Sequence, residues 1–171
     1  MKRIAVDMDG VLSDTYAQYI TWYERDSGIR KTKEDVIGKP ELEAFPKVRE
    51  YLYTDGFFRT APVIADSQKV LAKLQERYEI FIVSSATEFP QSLTEKQAWL
   101  GEHFPFISWK QMVFCGSKTI IHADIMIDDH LKNLDHFSGE TFMFSQPHNL
   151  LWQGPKHKRV NSWLEIENTL F

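Results

Sequence analysis

Asp7 and Asp9 stand two residues apart at the end of the apolar run Ile4-Ala5-Val6, and Asp128-Asp129 follow a second such run, Ile125-Met126-Ile127. A third run, Ile80-Phe81-Ile82-Val83, ends on the hydroxyl pair Ser84-Ser85. Short apolar runs of β-branched character read as buried strands. In an open α/β sheet, ligands bind in the crevice beyond the carboxyl ends of the strands. Three strands would therefore deliver acids and hydroxyls to one edge. Taken singly, an acid after a strand is commonly a helix cap, a serine there a turn residue, and Asp-Asp a solvated loop. Agreement among three strands outweighs those readings. Four carboxylates on one edge repel each other unless a cation lies among them. A ligand set of oxygens alone, without paired His or Cys, favours magnesium over zinc. The six histidines, His103, His122, His130, His136, His148 and His157, show no metal-type spacing and read as surface or core residues.

The elements that must position these groups alternate between strand and helix. Ser13 or Asp14 caps a helix with the stripe Tyr16, Tyr19, Ile20 and Tyr23, which ends at Ser27-Gly28. Asp66 is expected to cap a helix carrying Val70, Leu71 and Leu74, and Thr94 with Gln97 forms a capping box ahead of Trp99-Leu100. Met112-Val113-Phe114 and Thr141–Phe144 are further strands, and Ser162 with Glu165 caps a last helix with the stripe Trp163, Ile166 and Leu170. This order predicts an α/β fold, a Rossmann-like parallel sheet with helices on both faces. The stretch between the first strand and the Ile80 strand exceeds a simple crossover. It predicts a small helical cap over residues 15–65, inserted into a core made of residues 1–14 and 66–171.

Bulk properties narrow the function classes. A chain of 171 residues holds one well-buried core and a small accessory unit. A net charge of −4 gives no field for polymeric nucleic acid or anionic lipid. The basic cluster Lys156-His157-Lys158-Arg159, after Gly154-Pro155, reads as a solvated loop. The single cysteine, Cys115, excludes an internal disulfide and fits a reducing compartment. No apolar run approaches a membrane span, so a cytoplasmic location is the expectation, with an oligomer left open.

Asp7-Met8-Asp9-Gly10-Val11 resembles the first motif of the haloacid dehalogenase-like phosphatase superfamily, with Ser84, Lys118 and Asp128-Asp129 matching the second to fourth in order. Within it, the chain is similar to the 5′(3′)-deoxyribonucleotidases along nearly its whole length. The segments that carry this are Val6–Leu12, Gly56-Phe57-Phe58, Lys118-Thr119, Ile127-Asp128-Asp129, His148-Asn149 and Asn161-Ser162-Trp163. The chain departs from the animal members where Thr15 stands at their base-stacking phenylalanine. Cys115-Gly116-Ser117 also stands where they carry an arginine before the third-motif lysine.

The resemblance implies a magnesium-dependent phosphomonoesterase acting on a small phosphomonoester, foremost a nucleoside monophosphate. Asp7 would be the nucleophile, forming an aspartyl phosphate, and Asp9 the general acid and then base. Magnesium would be held by the Asp7 carboxylate, the Asp9 carbonyl and Asp129, with Asp128 orienting a water on the metal or exchanging roles with Asp129. Ser84, Ser85 and Lys118 would bind the transferring oxygens. Phe57 and Phe58 are candidate walls for the leaving group, with core packing as the competing use. Other small phosphate esters, sugar phosphates or phosphoglycolate, are the alternative substrates. A phospho-accepting receiver domain shares the acids, hydroxyl, lysine and metal. In a receiver, however, the adjacent acids come first and there is no insertion after the first strand. A catalytically silent binding protein on the same fold is the third reading, and the intact motifs weigh against it.

Overall fold

The computed structural model describes all residues, Met1–Phe171. Six strands form one sheet: β1 (Lys2–Val6), β2 (Tyr78–Ser84), β3 (Met112–Phe114), β4 (Ile125–Asp128), β5 (Glu140–Phe144) and β6 (Lys158–Val160). Their order is β3-β2-β1-β4-β5-β6 and every pairing is parallel. Side chains alternate in register across the sheet. Ile4, Val6, Ile80, Ile82, Ile125, Ile127, Phe142 and Phe144 enter one large core. That core is completed by helices α4 (Ser67–Leu74), α5 (Ser92–His103) and α7 (Trp163–Leu170). Ala5, Val83, Met126 and Met143 face the other way, against Leu134 of the short helix α6 (Leu131–Leu134) and the Trp152 loop. No helix is long and apolar enough to cross a membrane.

Between β1 and α4 the chain forms α1 (Thr15–Ser27), α2 (Glu41–Ala44) and α3 (Val48–Leu52). Asp14 caps α1 by accepting from the Ala17 N–H at 3.0 Å, and Gly28 ends it in the left-handed region at φ 70°. Tyr16, Tyr19, Phe45, Val48, Tyr51, Phe57 and Phe58 belong to an apolar cluster of their own, distinct from the sheet core. The segment leaves and rejoins the core through paired backbone: Asp14 N–H donates to Pro62 O at 2.7 Å, and Ile64 N–H to Leu12 O at 2.8 Å.

Two local expectations fail and a third holds in part. Asp66 stands at the N-cap position of α4, but in the left-handed region at φ 62° its side chain makes no capping hydrogen bond. The Thr94–Gln97 box does not form. Helix α5 already begins at Ser92, anchored by Ser92 Oγ on Ala86 O, so Thr94 lies inside the first turn. Ser162 does accept from the Glu165 N–H, at 3.3 Å, but the Glu165 carboxylate turns to the Asn161 N–H instead.

The supposed solvated loop around Lys156–Arg159 contains β6. His157 is buried between Thr141 and Asp135. The Arg159 guanidinium donates to Ser145 Oγ, Asn149 Oδ1, Asn149 O and Trp152 O at 2.8–3.0 Å. This fork fixes the loop from Ser145 to Trp152. Lysine has the charge but not the planar fork. Arg159→Lys is therefore expected to lose about 2–3 kcal/mol, in the range for hydrogen bonds to charged groups. The loss would be read as a fall in the urea midpoint, and an unchanged midpoint would remove Arg159 from this role.

Candidate active site

Strand β1 ends at Val6 between β2 and β4, and the Asp7 N–H continues the pairing with β4 by donating to Ile127 O at 2.9 Å. Asp7 Oδ1 accepts from the Met8 N–H at 2.8 Å and from Lys118 Nζ at 2.6 Å. Lys118 reaches Asp128 Oδ2 at 2.7 Å with the same ammonium. Asp128 is fully buried and its carboxylate is saturated: it also accepts from the His130 N–H at 2.8 Å and from Asn133 Nδ2 at 3.0 Å. Asp129 differs. It is buried too, but its Oδ1 has no hydrogen-bond partner. An orphaned buried carboxylate oxygen is costly unless a cation or donor meets it.

Charge points the same way. The carboxylates of Asp7, Asp128 and Asp129 lie together, all buried, and the one ammonium among them, Lys118, pairs with Asp7 and Asp128. That leaves two negative charges, the charge a divalent cation neutralises. Burial, reinforced by the neighbouring acids, pushes the Asp7 and Asp129 carboxyls well above the usual carboxylate range, and Lys118 pulls both back. Burial also works against the charge on Lys118, but Asp128 and Asp7 outweigh it and raise the ammonium above its ordinary value. A hard divalent ion among these oxygens fits the donor set.

Gly10, at φ 78°, lets the chain turn straight after Asp9, and a Cβ there would collide with the Asp129 carboxylate. The Ser145–Trp152 loop braces both sides of this turn. Gln146 Nε2 donates to Gly10 O at 2.5 Å, and Asn149 Nδ2 donates to Asp129 O at 2.8 Å. His148 stacks between Tyr16 and His130. Burial and the nearby His130 lower its pKa to about 4, so it is neutral at pH 7. Its Nε2–H donates to Asp129 O at 3.0 Å, and Nδ1 then accepts from Tyr16 Oη at 3.1 Å.

On the other flank, Asp9 Oδ2 accepts from Lys96 Nζ at 2.5 Å. Lys96, only 2% exposed, also donates to Ser84 Oγ at 2.9 Å and lies 4.4 Å from the centre of the Phe58 ring. The sequence reading passed over Lys96. The signal was there: it shares a helical face with Ser92, Trp99 and Leu100, and a charge on a buried stripe requires a partner.

Asp7, Asp9, Ser85, Lys118, Asp129 and Phe58 open on one cavity of about 460 Å³ between the sheet edge and the inserted helices, with Lys96, Tyr19, Arg49 and Phe89 on its walls. Thr15 lines it as well. Ser84 lies behind this surface, and Asp128 behind Lys118. Phe57 does not reach the cavity. It is fully buried among Tyr19, Trp22 and Phe58, so of the aromatic pair only Phe58 faces the site. His130 and Asn133, missed in the sequence, also border the cavity.

A family model described as 5′ nucleotidase, deoxy (pyrimidine), cytosolic type C protein matches residues 1–171. The 5′(3′)-deoxyribonucleotidase of Bacillus subtilis is 39% identical over 171 residues, covering 99% of this chain and 98% of that one. Among solved structures, a haloacid dehalogenase-like family hydrolase from Streptococcus pneumoniae superposes with a TM-score of 0.65 at 13% identity, covering 100% of this chain and 99% of the other. A hydrolase of the same superfamily from Deinococcus radiodurans, with bound phosphate and sodium, gives a TM-score of 0.65 at 12% identity, over 99% of this chain and 95% of that one. With a family match along its entire length and a full-length relative well above 30% identity, this chain belongs to the 5′(3′)-deoxyribonucleotidase family, and its fold is the one seen in haloacid dehalogenase-like hydrolases.

Proposed function

We propose that the protein is a magnesium-dependent phosphomonoesterase that dephosphorylates deoxyribonucleoside monophosphates through an aspartyl phosphate on Asp7. The observation that carries this is the convergence of Asp7, Asp9, Lys118 and Asp129 on a single cavity, with the buried Asp129 Oδ1 unpartnered beside Asp7. The inserted helices of residues 15–65 act as a cap, supported by their separate apolar cluster and their place over the cavity. The substrate class follows the family and the aromatic wall at Phe58.

The Asp7 and Asp129 carboxylates and the Asp9 carbonyl would hold the ion. Asp128 favours a supporting place, because its oxygens are already filled by Lys118, His130 and Asn133. When bound, magnesium supplies the positive charge that lets an anionic carboxylate approach an anionic phosphate. Asp7 attacks phosphorus, the bond to the ester oxygen breaks, and Asp9 gives that oxygen its proton. Asp9, now a carboxylate, takes a proton from water as the hydroxide attacks the aspartyl phosphate, freeing phosphate and restoring Asp7. Lys118 spends two of its three N–H donors on Asp7 and Asp128 and keeps one for a phosphate oxygen. Ser85 adds a further donor, with Ser84 behind it holding the Lys96 ammonium. Lys96 holds Asp9 in place from the side.

Hydrolysis of deoxyribonucleoside monophosphates with magnesium tests this reading. Activity should vanish on chelation, return with magnesium, and be inhibited by calcium, whose longer bonds and higher coordination number would let it occupy the attacking Asp7 oxygen. Full activity after exhaustive chelation would contradict it.

Asp7→Asn should abolish turnover while leaving the protein folded by circular dichroism, since removing one of several crowded carboxylates relieves repulsion. Easily measured activity in this variant would end the covalent scheme.

For Asp9→Asn, a nucleotide should lose about 10²–10⁴-fold in kcat, the usual worth of acid catalysis. The loss on p-nitrophenyl phosphate, whose leaving group needs no proton, should be smaller. Equal losses on both would take Asp9 out of the acid role.

A further inference from the structure

Glu95 and Lys96 are neighbours on α5, yet they grip different parts of the molecule. The Glu95 carboxylate accepts from three backbone N–H groups of the returning segment: Gly56 at 2.6 Å, Phe58 at 3.1 Å and Arg59 at 3.0 Å. Lys96 holds Asp9 at 2.5 Å and lies against the Phe58 ring. Phe58 is thus fixed twice, by its backbone from Glu95 and by its ring from Lys96. Bonds from N–H groups to a carboxylate are short and strong, so a helix that carries both grips fixes the distance between the aromatic wall and the acid.

We propose that Glu95 is a positioning residue for substrate specificity: it sets the place of the Phe58 wall relative to Asp9, and through it the affinity for a flat leaving group. For a nucleobase this rests on the nucleotidase reading. The wall itself does not depend on it. Glutamine at position 95 keeps the shape but replaces one accepting oxygen with an NH2 donor that faces backbone donors, so the segment would lose its anchor.

The test is a double-mutant cycle of Glu95→Gln and Phe58→Leu, with inorganic phosphate as a probe that has no leaving group. In Glu95→Gln, KM for a deoxyribonucleoside monophosphate should rise about three- to tenfold, the worth of an aromatic contact. The variant's kcat and its inhibition constant for phosphate should both stay within about twofold of the parent, because the reacting centre is untouched. The double variant should be no worse than Phe58→Leu alone, since Glu95 acts through Phe58. Multiplying effects, a phosphate constant that rises in step with KM, or an unchanged KM would each overturn the proposal. The same cycle on p-nitrophenyl phosphate separates the two readings. A parent enzyme that hydrolyses this ester but no nucleotide fails the nucleotidase reading, while coupling of the two positions in KM for the aryl ring still decides the role of Glu95.

Discussion

The buried ammonium of Lys118, held between Asp7 and Asp128, is the contact on which the rest of the site depends. Each carboxylate it touches would be costly to bury alone, and removing the ammonium would leave both charges uncompensated in the interior. Lys118 makes it tolerable to bring the ends of β1 and β4 together with their acids intact. It does not complete the neutralisation. The charge left over on Asp7 and Asp129, with the unpartnered Asp129 Oδ1, is a demand that a further cation would satisfy. A cation bound there would favour the ionised form of Asp7, so under the proposed mechanism metal binding and reactivity would be coupled.

Two supports keep this arrangement in register from opposite sides. On one, Arg159 pins the Ser145–Trp152 loop, which in turn holds the carbonyls of Gly10 and Asp129 through Gln146, His148 and Asn149. On the other, α5 presents Lys96 to Asp9 and Ser84, and Glu95 to the segment that returns from the inserted helices. Asp9 and Asp7, the proposed acid and nucleophile, stand two residues apart in the chain and are thus paired with different lysines. Separate partners let the two carboxylates keep different tasks, as neighbouring carboxyls with distinct surroundings do in acid–base sites generally.

Much of this was legible in the sequence because the decisive features are local. An apolar run that ends on an acid is read without knowing what lies beside it, and Asp7, Asp9, Ser85 and Asp129 all came from that pattern. The inserted helices were legible as excess chain between two strands. What escaped the reading depends on distant partners. Strand β6 is three residues long with charged side chains, and only its pairing with β5 defines it. Asp66 resembles a cap by type, but its backbone conformation is set by the return of the insertion. Arg159, His148, Asn133 and Glu95 act on backbone or carboxylates far away in sequence or across a turn, and nothing in their immediate neighbours announces it. Phe57 and Phe58 are adjacent and alike, and packing alone assigns one to the interior and the other to the cavity.

The central claim is that Asp7 carries the phosphoryl group between the two halves of the reaction. Its most direct test is acid quenching of the enzyme during turnover, followed by mass spectrometry of its peptides. The account predicts one added phosphoryl group on the peptide that contains Asp7, removed by hydroxylamine as an acyl phosphate is and absent from Asp7→Asn. A turning-over enzyme with no phosphoryl group on that peptide, or with one on another residue, would contradict it.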